Sequence, residues 1–297
     1  MWWPSLMTLL SEHQHMDLSA GLGLRRELIA PLTDIDITKS PISFFEIAPE
    51  NWINLGGRLG KQLRYFTERY PFFCHGLSLS IGSPSPLDTA FLNDLKKFLN
   101  YHNILMYSEH LSYCSDHGHL YDLMPIPFTN EAVRYVADRV KQVQDVLERP
   151  LILENVSYYS PLSNELEEIH FFNAIVEESG CLMLLDINNV YVNSINHGYS
   201  AKDFIDAVPI EKVAYYHVAG HYDEADDLKV DTHGADVKNE VWQLLDYAYA
   251  KIGFRPTLLE RDFNIPPIDI LMKEVDKINQ LSQHYSPIDT KKIEYEK

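Results

Sequence analysis

Eight short apolar runs, each closed by turn formers, set the frame for this chain. They are GLGLR (21–25), SFFEIA (43–48), PFFCHGLSL (71–79), NILMYSEHL (103–111), PLILENV (150–156), CLMLLDINNV (181–190), VAYYHVAG (213–220) and PTLLERD (256–262). Apolar runs of this length, bounded by breakers, read as buried strands. Between them lie segments of helical period. TNEAVRYVADRVKQVQDVLE opens on Thr129 as an N-cap, with Glu131 in its first turn. NELEEIHFFNAIVEESG closes on Gly180, DVKNEVWQLLDYAYAKIG closes on Gly253, and the last helix enters through prolines at PPIDILMKEV. The weakest unit is the first, because RRELIAPLTDID makes a poor helix. Eight β-then-α units in 297 residues predict an α/β fold, a single (β/α)8 TIM barrel. An open doubly wound sheet is the alternative, but no GxGxxG or Walker loop follows the first strand. With no linker, repeat or low-complexity block, one domain is expected. Its barrel core runs over about 19–285, and residues 1–18 and 286–297 are peripheral.

The formal net charge is −18, and so acidic a surface repels phosphate backbones; no nucleic-acid partner is expected. Cys74, Cys114 and Cys181 are widely spaced and form no CxxC pair, which fits a reducing cytoplasm. The start, MWWPSLMTLLSEHQHMD, lacks the basic region and small-residue cleavage site of a signal peptide. No apolar run is long enough to span a membrane.

The strand ends carry the chemistry. In LLDINNVYVN an apolar run stops on Asp186, then Asn188 and Asn189. Alone this is turn chemistry. However, the third strand ends with His75 and the fourth with Glu109 and His110. The fifth carries Glu154 and Asn155, the sixth Asp186 and Asn189, and the seventh His217 with His221 following. The eighth carries Glu260 and Asp262, and the loop sequence DTHG adds Asp231 and His233. In a barrel these ends converge on one mouth. Imidazoles and carboxylates without thiolates suit zinc, iron, manganese or cobalt. Packed carboxylates repel one another, and divalent cations remove that cost. The ligands outnumber one ion's shell, so two or three metals are expected, with a bridging carboxylate. Strand alternation sends Glu109 and Cys74 to the opposite face from His110 and His75. His13, His15, His102, His117, His119, His170 and His284 are read as hydrogen-bonded core histidines. His197, in the loop segment NSINHG, is read as orienting a ligand from outside the metal shell. Tyr158, Tyr191 and Tyr215 are read as packing.

The order His75, His110, Glu154, Asp186, Asn189, His217, Asp231, His233, Glu260 resembles the trinuclear ligand series of the xylose-isomerase-like barrels, best known in endonuclease IV. There a histidine stands at the position matching Asn189. FFEIAPENW, HGLSLSIGS, SEHLSY, LENVSYY, LLDINNVYVNSINHG, HVAGH, DTHG and LLERD are more closely similar to the MbnB-like family, the iron enzymes of methanobactin biosynthesis, from about Gly21 to Pro266. The resemblance implies a multinuclear non-haem iron enzyme. Such an enzyme uses O2 to oxidise a cysteine within a ribosomally made precursor peptide, with a small companion protein presenting that peptide. It implies two to three iron ions, for which zinc or manganese are expected substitutes in purified protein. One ion falls to His75, His110 and Glu154, and a second to Asp186, His217 and Glu260, with Glu154 bridging. A third, weaker one falls to Asn189, Asp231 and His233. Asn155, His197, Arg261 and Asp262 are implied as supporting groups.

A metal-dependent hydrolase of the endonuclease IV kind and a sugar isomerase or epimerase remain alternatives on the same barrel. The acidic charge and Asn189 count against the first. Asp231 and His233 exceed what the second needs.

Overall fold

The computed structural model describes residues 18–116, 118–160 and 165–285. Their strands are, in chain order, β1 (Ala20–Gly23), β2 (Phe44–Ile47), β3 (Phe72–Gly76), β4 (Met106–His110), β5 (Ser112–Ser115) and β6 (His119–Pro125). Then follow β7 (Ile152–Glu154), β8 (Leu182–Asp186), β9 (Val213–Val218), β10 (His221–Ala225), β11 (Leu228–Asp231) and β12 (Thr257–Leu259). Eight of them close a barrel in the order β1-β12-β9-β8-β7-β4-β3-β2, and every pairing is parallel. These eight are the expected strands. β5–β6 and β10–β11 are antiparallel hairpins inserted after the carboxyl ends of β4 and β9.

Alternation decides what fills the barrel. Phe44, Phe73, Met106, Ile152, Leu184, Tyr215 and Leu258 pack together as an inner cluster, separate from the apolar layer between strands and helices. Two residues further along each strand, on the same face, stand Glu46, His75, Ser108, Glu154, Asp186, His217 and Glu260. The barrel thus changes from hydrocarbon to polar atoms at a single level. Direct lateral pairs join some of these positions, His75 with Ser108 and Asp186 with His217, and the stagger of the tilted strands offsets others by two residues, so that Glu154 faces Leu184. β1 contributes no bulk. Gly21 pairs with Phe44, whose ring occupies the space a Gly21 side chain would need, 2.3 Å from an ideal Cβ.

The helices coat the outside. They are α1 (Ile29–Thr33), α2 (Gly57–Thr67), α3 (Thr89–Tyr101), α4 (Asn130–Leu147), α5 (Glu168–Ser179), α6 (Ile187–His197), α7 (Ala201–Asp206), α8 (Asn239–Ile252) and α9 (Ile268–Ser282). The first unit is as poor as its sequence implied, a 3-10 turn at Arg26–Leu28 running into five residues of α1. Thr129 caps α4 by accepting from the Ala132 amide, and Gly180 ends α5 in the left-handed conformation.

Two readings need correction. The sixth run stops being a strand at Asp186, and residues 187–197, including most of NSINHG, form α6 instead of strand end and loop. The Asp186 carboxylate accepts from the Asn189 amide at 2.6 Å, which starts a helix where the β-branched residues pointed to more strand. Among the histidines read as core, His102 is buried against the Thr67 hydroxyl at 2.9 Å, but His170 and His284 lie on the surface. Residues 1–17 and 286–297, with His13, His15 and His117, lie outside the described residues, as does the side chain of His119. No described helix is long and apolar enough to cross a membrane.

α5 and α6 are tied together by Glu168, which accepts from Asn193 Nδ2 at 3.1 Å and Tyr199 Oη at 3.0 Å. Burial pushes its pKa up to about 7, against the lowering effect of those hydrogen bonds. A folded-state value above the unfolded one means the contribution is fully present below about pH 4.5 and is lost as pH rises through 7. Glu168→Gln, which stays neutral, is therefore expected to gain at least about 1 kcal/mol on the wild type between pH 4 and pH 8 in denaturant titrations. A pH-independent difference would contradict this. Gly21→Ala is expected to destabilise by about 1–3 kcal/mol through overpacking against Phe44. Combining it with Phe44→Leu should recover part of that loss, and strict additivity would show that the two do not collide.

Candidate metal centre

β3, β4 and β7 deliver the first group. Glu154 Oε2 lies 2.9 Å from His75 Nε2 and 3.3 Å from His110 Nε2, and the two nitrogens are 3.1 Å apart. His110 Nδ1 sits 2.9 Å from the Gly76 carbonyl, which only accepts, so Nδ1 carries the ring proton and the neutral ring turns a bare Nε2 inward. Lone pairs aimed at one point repel unless a cation or a proton lies between them. Without a metal, protons serve. Burial lowers the His110 pKa, but the charge of Glu154 and the hydrogen bond and charge of Glu109 outweigh it and hold the ring at about 9. Burial raises the Glu154 pKa, but His75 and His110 outweigh it and bring the carboxyl down to about 2.

The second group comes from β8, β9 and the residue after β12. Glu154, Asp186, His217 and Glu260 can each place one donor atom within 4.8 Å of all the others. His75, His110 and Glu154 satisfy the same condition, so Glu154 occupies the position a bridging ligand requires. His217 Nδ1 is 2.9 Å from Glu260 Oε2. Burial and the charge of Glu154 push the Asp186 pKa well up. Burial disfavours charge on His217 too, yet Glu46 and Glu260 hold its pKa well above the ordinary value.

Many of these short contacts are not hydrogen bonds. Glu154 Oε2, Asp186 Oδ2, Asn189 Oδ1, both His217 nitrogens, His233 Nε2 and Glu260 Oε2 are buried and have no partner in hydrogen-bond geometry among the described residues. Buried polar atoms are almost always paired, so a cluster of exceptions calls for a missing partner. Oxygen and imidazole donors lying close together but misaligned for hydrogen bonding fit a group of divalent cations.

The third expected set is gathered differently. Asp231 and His233 do meet, with Nε2 2.7 Å from Oδ1. His233 Nδ1 faces Glu260 Oε2 at 3.3 Å and Asp262 Oδ2 at 3.4 Å, so His233, Glu260 and Asp262 form the compact donor set here. Asn189 Nδ2 donates toward Glu154 Oε1 at 3.4 Å and the Asn155 carbonyl at 3.1 Å, which leaves its buried Oδ1 without a hydrogen-bond partner among the described residues. It is Asn188, one step round α6, that reaches Asp231, at 3.0 Å. His233 holds a left-handed φ of 46°, uncommon for a residue with a side chain and often found at working sites.

The supporting groups divide. Asn155 clamps the Asp186 backbone, accepting from its amide at 2.9 Å and donating to its carbonyl at 3.0 Å. Asp262 pairs with Arg25. Arg261 turns away to Asp236 at 2.7 Å and Glu274 at 3.2 Å. His197 stacks on the Tyr158 ring and contacts the Tyr158 carbonyl at 2.8 Å at the end of α6. Glu109 accepts from the Leu79 amide and the Tyr107 hydroxyl, on the outer face as alternation requires, and Cys74 is buried in the outer layer.

Sequence reasoning missed Glu46, Ser108, Tyr215, Asn188 and Arg25. Tyr215 Oη lies 2.9 Å from Glu46 Oε2 and 2.6 Å from Ser108 Oγ, so it is no mere packing residue. Ser108 Oγ lies 2.7 Å from His75 Nδ1. Counting two residues on from Phe44, as from every other inward apolar residue, finds Glu46. Arg25 approaches Glu260 at 3.4 Å.

Comparison with known proteins completes the picture. The chain is 60% identical over 267 residues to a UPF0276 protein of Shewanella sediminis, covering 90% of this chain and 95% of that one. It is 58% identical over 285 residues to a UPF0276 protein of Alcanivorax borkumensis, covering 93% and 95%. Among solved structures it is similar to D-psicose 3-epimerase from Clostridium cellulolyticum, with a TM-score of 0.60, 14% identity and 90% and 98% of the two chains covered. Endonuclease IV from Thermus thermophilus gives a TM-score of 0.57, 14% identity and the same coverage. At such identity these last two speak for the xylose-isomerase-like barrel alone. The profile of the family described as "RiPP precursor modification enzyme MbnB/TglH/ChrH" matches residues 19–283, and this chain belongs to that family.

Proposed function

We propose that this enzyme uses two or three iron ions and O2 to oxidise a cysteine of a ribosomally made precursor peptide, with a small companion protein presenting the peptide. The observation that carries the reading is the convergence on Glu154 of two imidazole nitrogens 3.1 Å apart, beside a second donor set that shares the same carboxylate. His75 and His110 hold one ion, Asp186, His217 and Glu260 the second, and Glu154 both. His233 holds the third, with Asp231 on one nitrogen or Glu260 and Asp262 on the other. Iron bound there supplies the redox chemistry with O2 that no side chain here performs. The chain's own residues position and neutralise. The protons held on His110 and His217 leave as ligation replaces them, so ion uptake is coupled to proton release.

The approach to the site favours a peptide. An open groove of about 500 Å³ is lined by Tyr222, Asp231, Thr232, Gly234, Ala235, Phe263 and Asn264, and so runs up to Asp231. Tyr222 and Phe263 are more than half exposed on it. Exposed aromatic rings at the rim suit extended chain better than a small polyol. The acidic surface favours a basic peptide or partner, because opposite charge speeds encounter.

Glu154→Ala removes a shared ligand, so both ions are expected to be lost or weakened together in metal analysis of protein purified without air. Full metal content in the variant would show that Glu154 is not the bridge. The activity is checked by incubating iron-loaded enzyme, companion and Cys-bearing precursor with and without O2 and weighing the peptide. A mass change that requires iron, O2 and the cysteine is the expected result. Turnover of a ketose, or cleavage of abasic DNA, with no change in the peptide would replace this reading with an epimerase or a hydrolase.

A further inference from the structure

Level with the candidate ligands lies a buried carboxylate that belongs to none of the donor sets. Glu46 projects from β2 just above the apolar floor that contains Phe44 and Phe73. Burying a carboxylate there is costly unless both oxygens are used. Oε2 lies 2.9 Å from Tyr215 Oη and Oε1 lies 3.0 Å from His217 Nε2.

The direction of every bond in the first branch follows from donor capacity. The carboxylate only accepts, so Tyr215 Oη donates its single proton to Glu46. Tyr215 then accepts from Ser108 Oγ at 2.6 Å, and the spent serine hydroxyl accepts from His75 Nδ1 at 2.7 Å. The competing acceptor for Ser108, the Cys74 carbonyl, is farther at 3.4 Å. The relay ends with the ring proton of His75 on Nδ1 and a bare Nε2 facing Glu154 and His110. In the second branch the Glu46 oxygen beside Nε2 of His217 keeps the ring proton there and leaves Nδ1, toward Glu260, as the donor. That contact is short but off the N–H axis, so it acts through the charge of the carboxylate beside Nε2.

We propose that Glu46 is a positioning residue that sets the tautomers of His75 and His217 together, one ligand in each half of the metal centre, through Tyr215 and Ser108 on one side and directly on the other. This rests on the metal-binding reading above. It makes a specific assignment: His75 binds through Nε2 and His217 through Nδ1. Carboxylate and hydroxyl partners of ligating histidines typically change metal affinity 10–100-fold, roughly, when removed.

The test uses the full chain loaded with Zn2+, which is diamagnetic, and two-bond 1H–15N correlations that identify the metal-bound nitrogen of each histidine. Competition with a chelator follows the affinity of each ion. Glu46→Gln is expected to weaken both ions about 10–100-fold. Tyr215→Phe and Ser108→Ala should weaken only the ion on His75 and leave His217 bound through Nδ1. These two variants carry the test even if Glu46→Gln fails to fold. His217 bound through Nε2, a Glu46→Gln protein with unchanged affinity for either ion, or equal weakening of both ions by Tyr215→Phe would overturn the proposal. Wild-type protein that takes up no Zn2+ at all would overturn the metal reading itself.

Discussion

Parallel register inside a closed barrel is the constraint on which the rest depends. Each strand offers one inward position per two residues, and the stagger of the tilted strands in a closed barrel brings those positions to a similar height. Once Phe44, Phe73, Met106, Ile152, Leu184 and Tyr215 have filled one level with hydrocarbon and aromatic ring, the next inward position of every strand lands on a common plane. Glu46, His75, Ser108, Glu154, Asp186 and His217 occupy that plane because the covalent spacing of the backbone puts them there. Gly21 keeps the floor closed by yielding its space to Phe44.

That geometry creates an electrostatic problem which shapes the site's behaviour. Four carboxylates (Glu46, Glu154, Asp186 and Glu260) share a buried volume with His75, His110, His217 and His233. Shared protons offset the repulsion among the carboxylates, so His110, His217 and His233 titrate above their ordinary range while Glu154 and Glu260 titrate below theirs. For His233, as for the others, burial opposes this and the neighbouring carboxylates prevail. Such a site trades protons for metal, and its affinity therefore rises with pH.

How much of this was legible in the sequence differs from element to element. The eight strands were legible because each apolar run ends on breakers. The inward histidines and acids were legible because they break a hydrophobic pattern. α6 was not, because Asn188, Asn189 and Val190 carry turn and strand propensities and only the Asp186 cap makes them helical. That one misreading also blurred the third donor set. On a helix, adjacent residues point about 100° apart, so Asn188 and Asn189 serve different neighbours. Glu46 escaped notice because the second strand ends in ILE-ALA-PRO rather than in a polar run, and Tyr215 because its ring sits in the floor while its hydroxyl reaches the level above. Arg25 comes from the far end of the chain, and no local pattern announces its approach to Glu260.

The central claim is that the misaligned buried donors around Glu154 form a multinuclear metal centre. X-ray absorption on protein purified without air tests it most directly, because it reports the metal, its light-atom ligands and any second metal nearby in one measurement. The account predicts at least two iron equivalents per chain, nitrogen and oxygen ligands without sulfur, and a metal–metal scattering path at about 3.5–4 Å, the separation of carboxylate-bridged pairs. A folded chain that takes up no metal, or one that binds a single isolated ion with no metal–metal path, would contradict it.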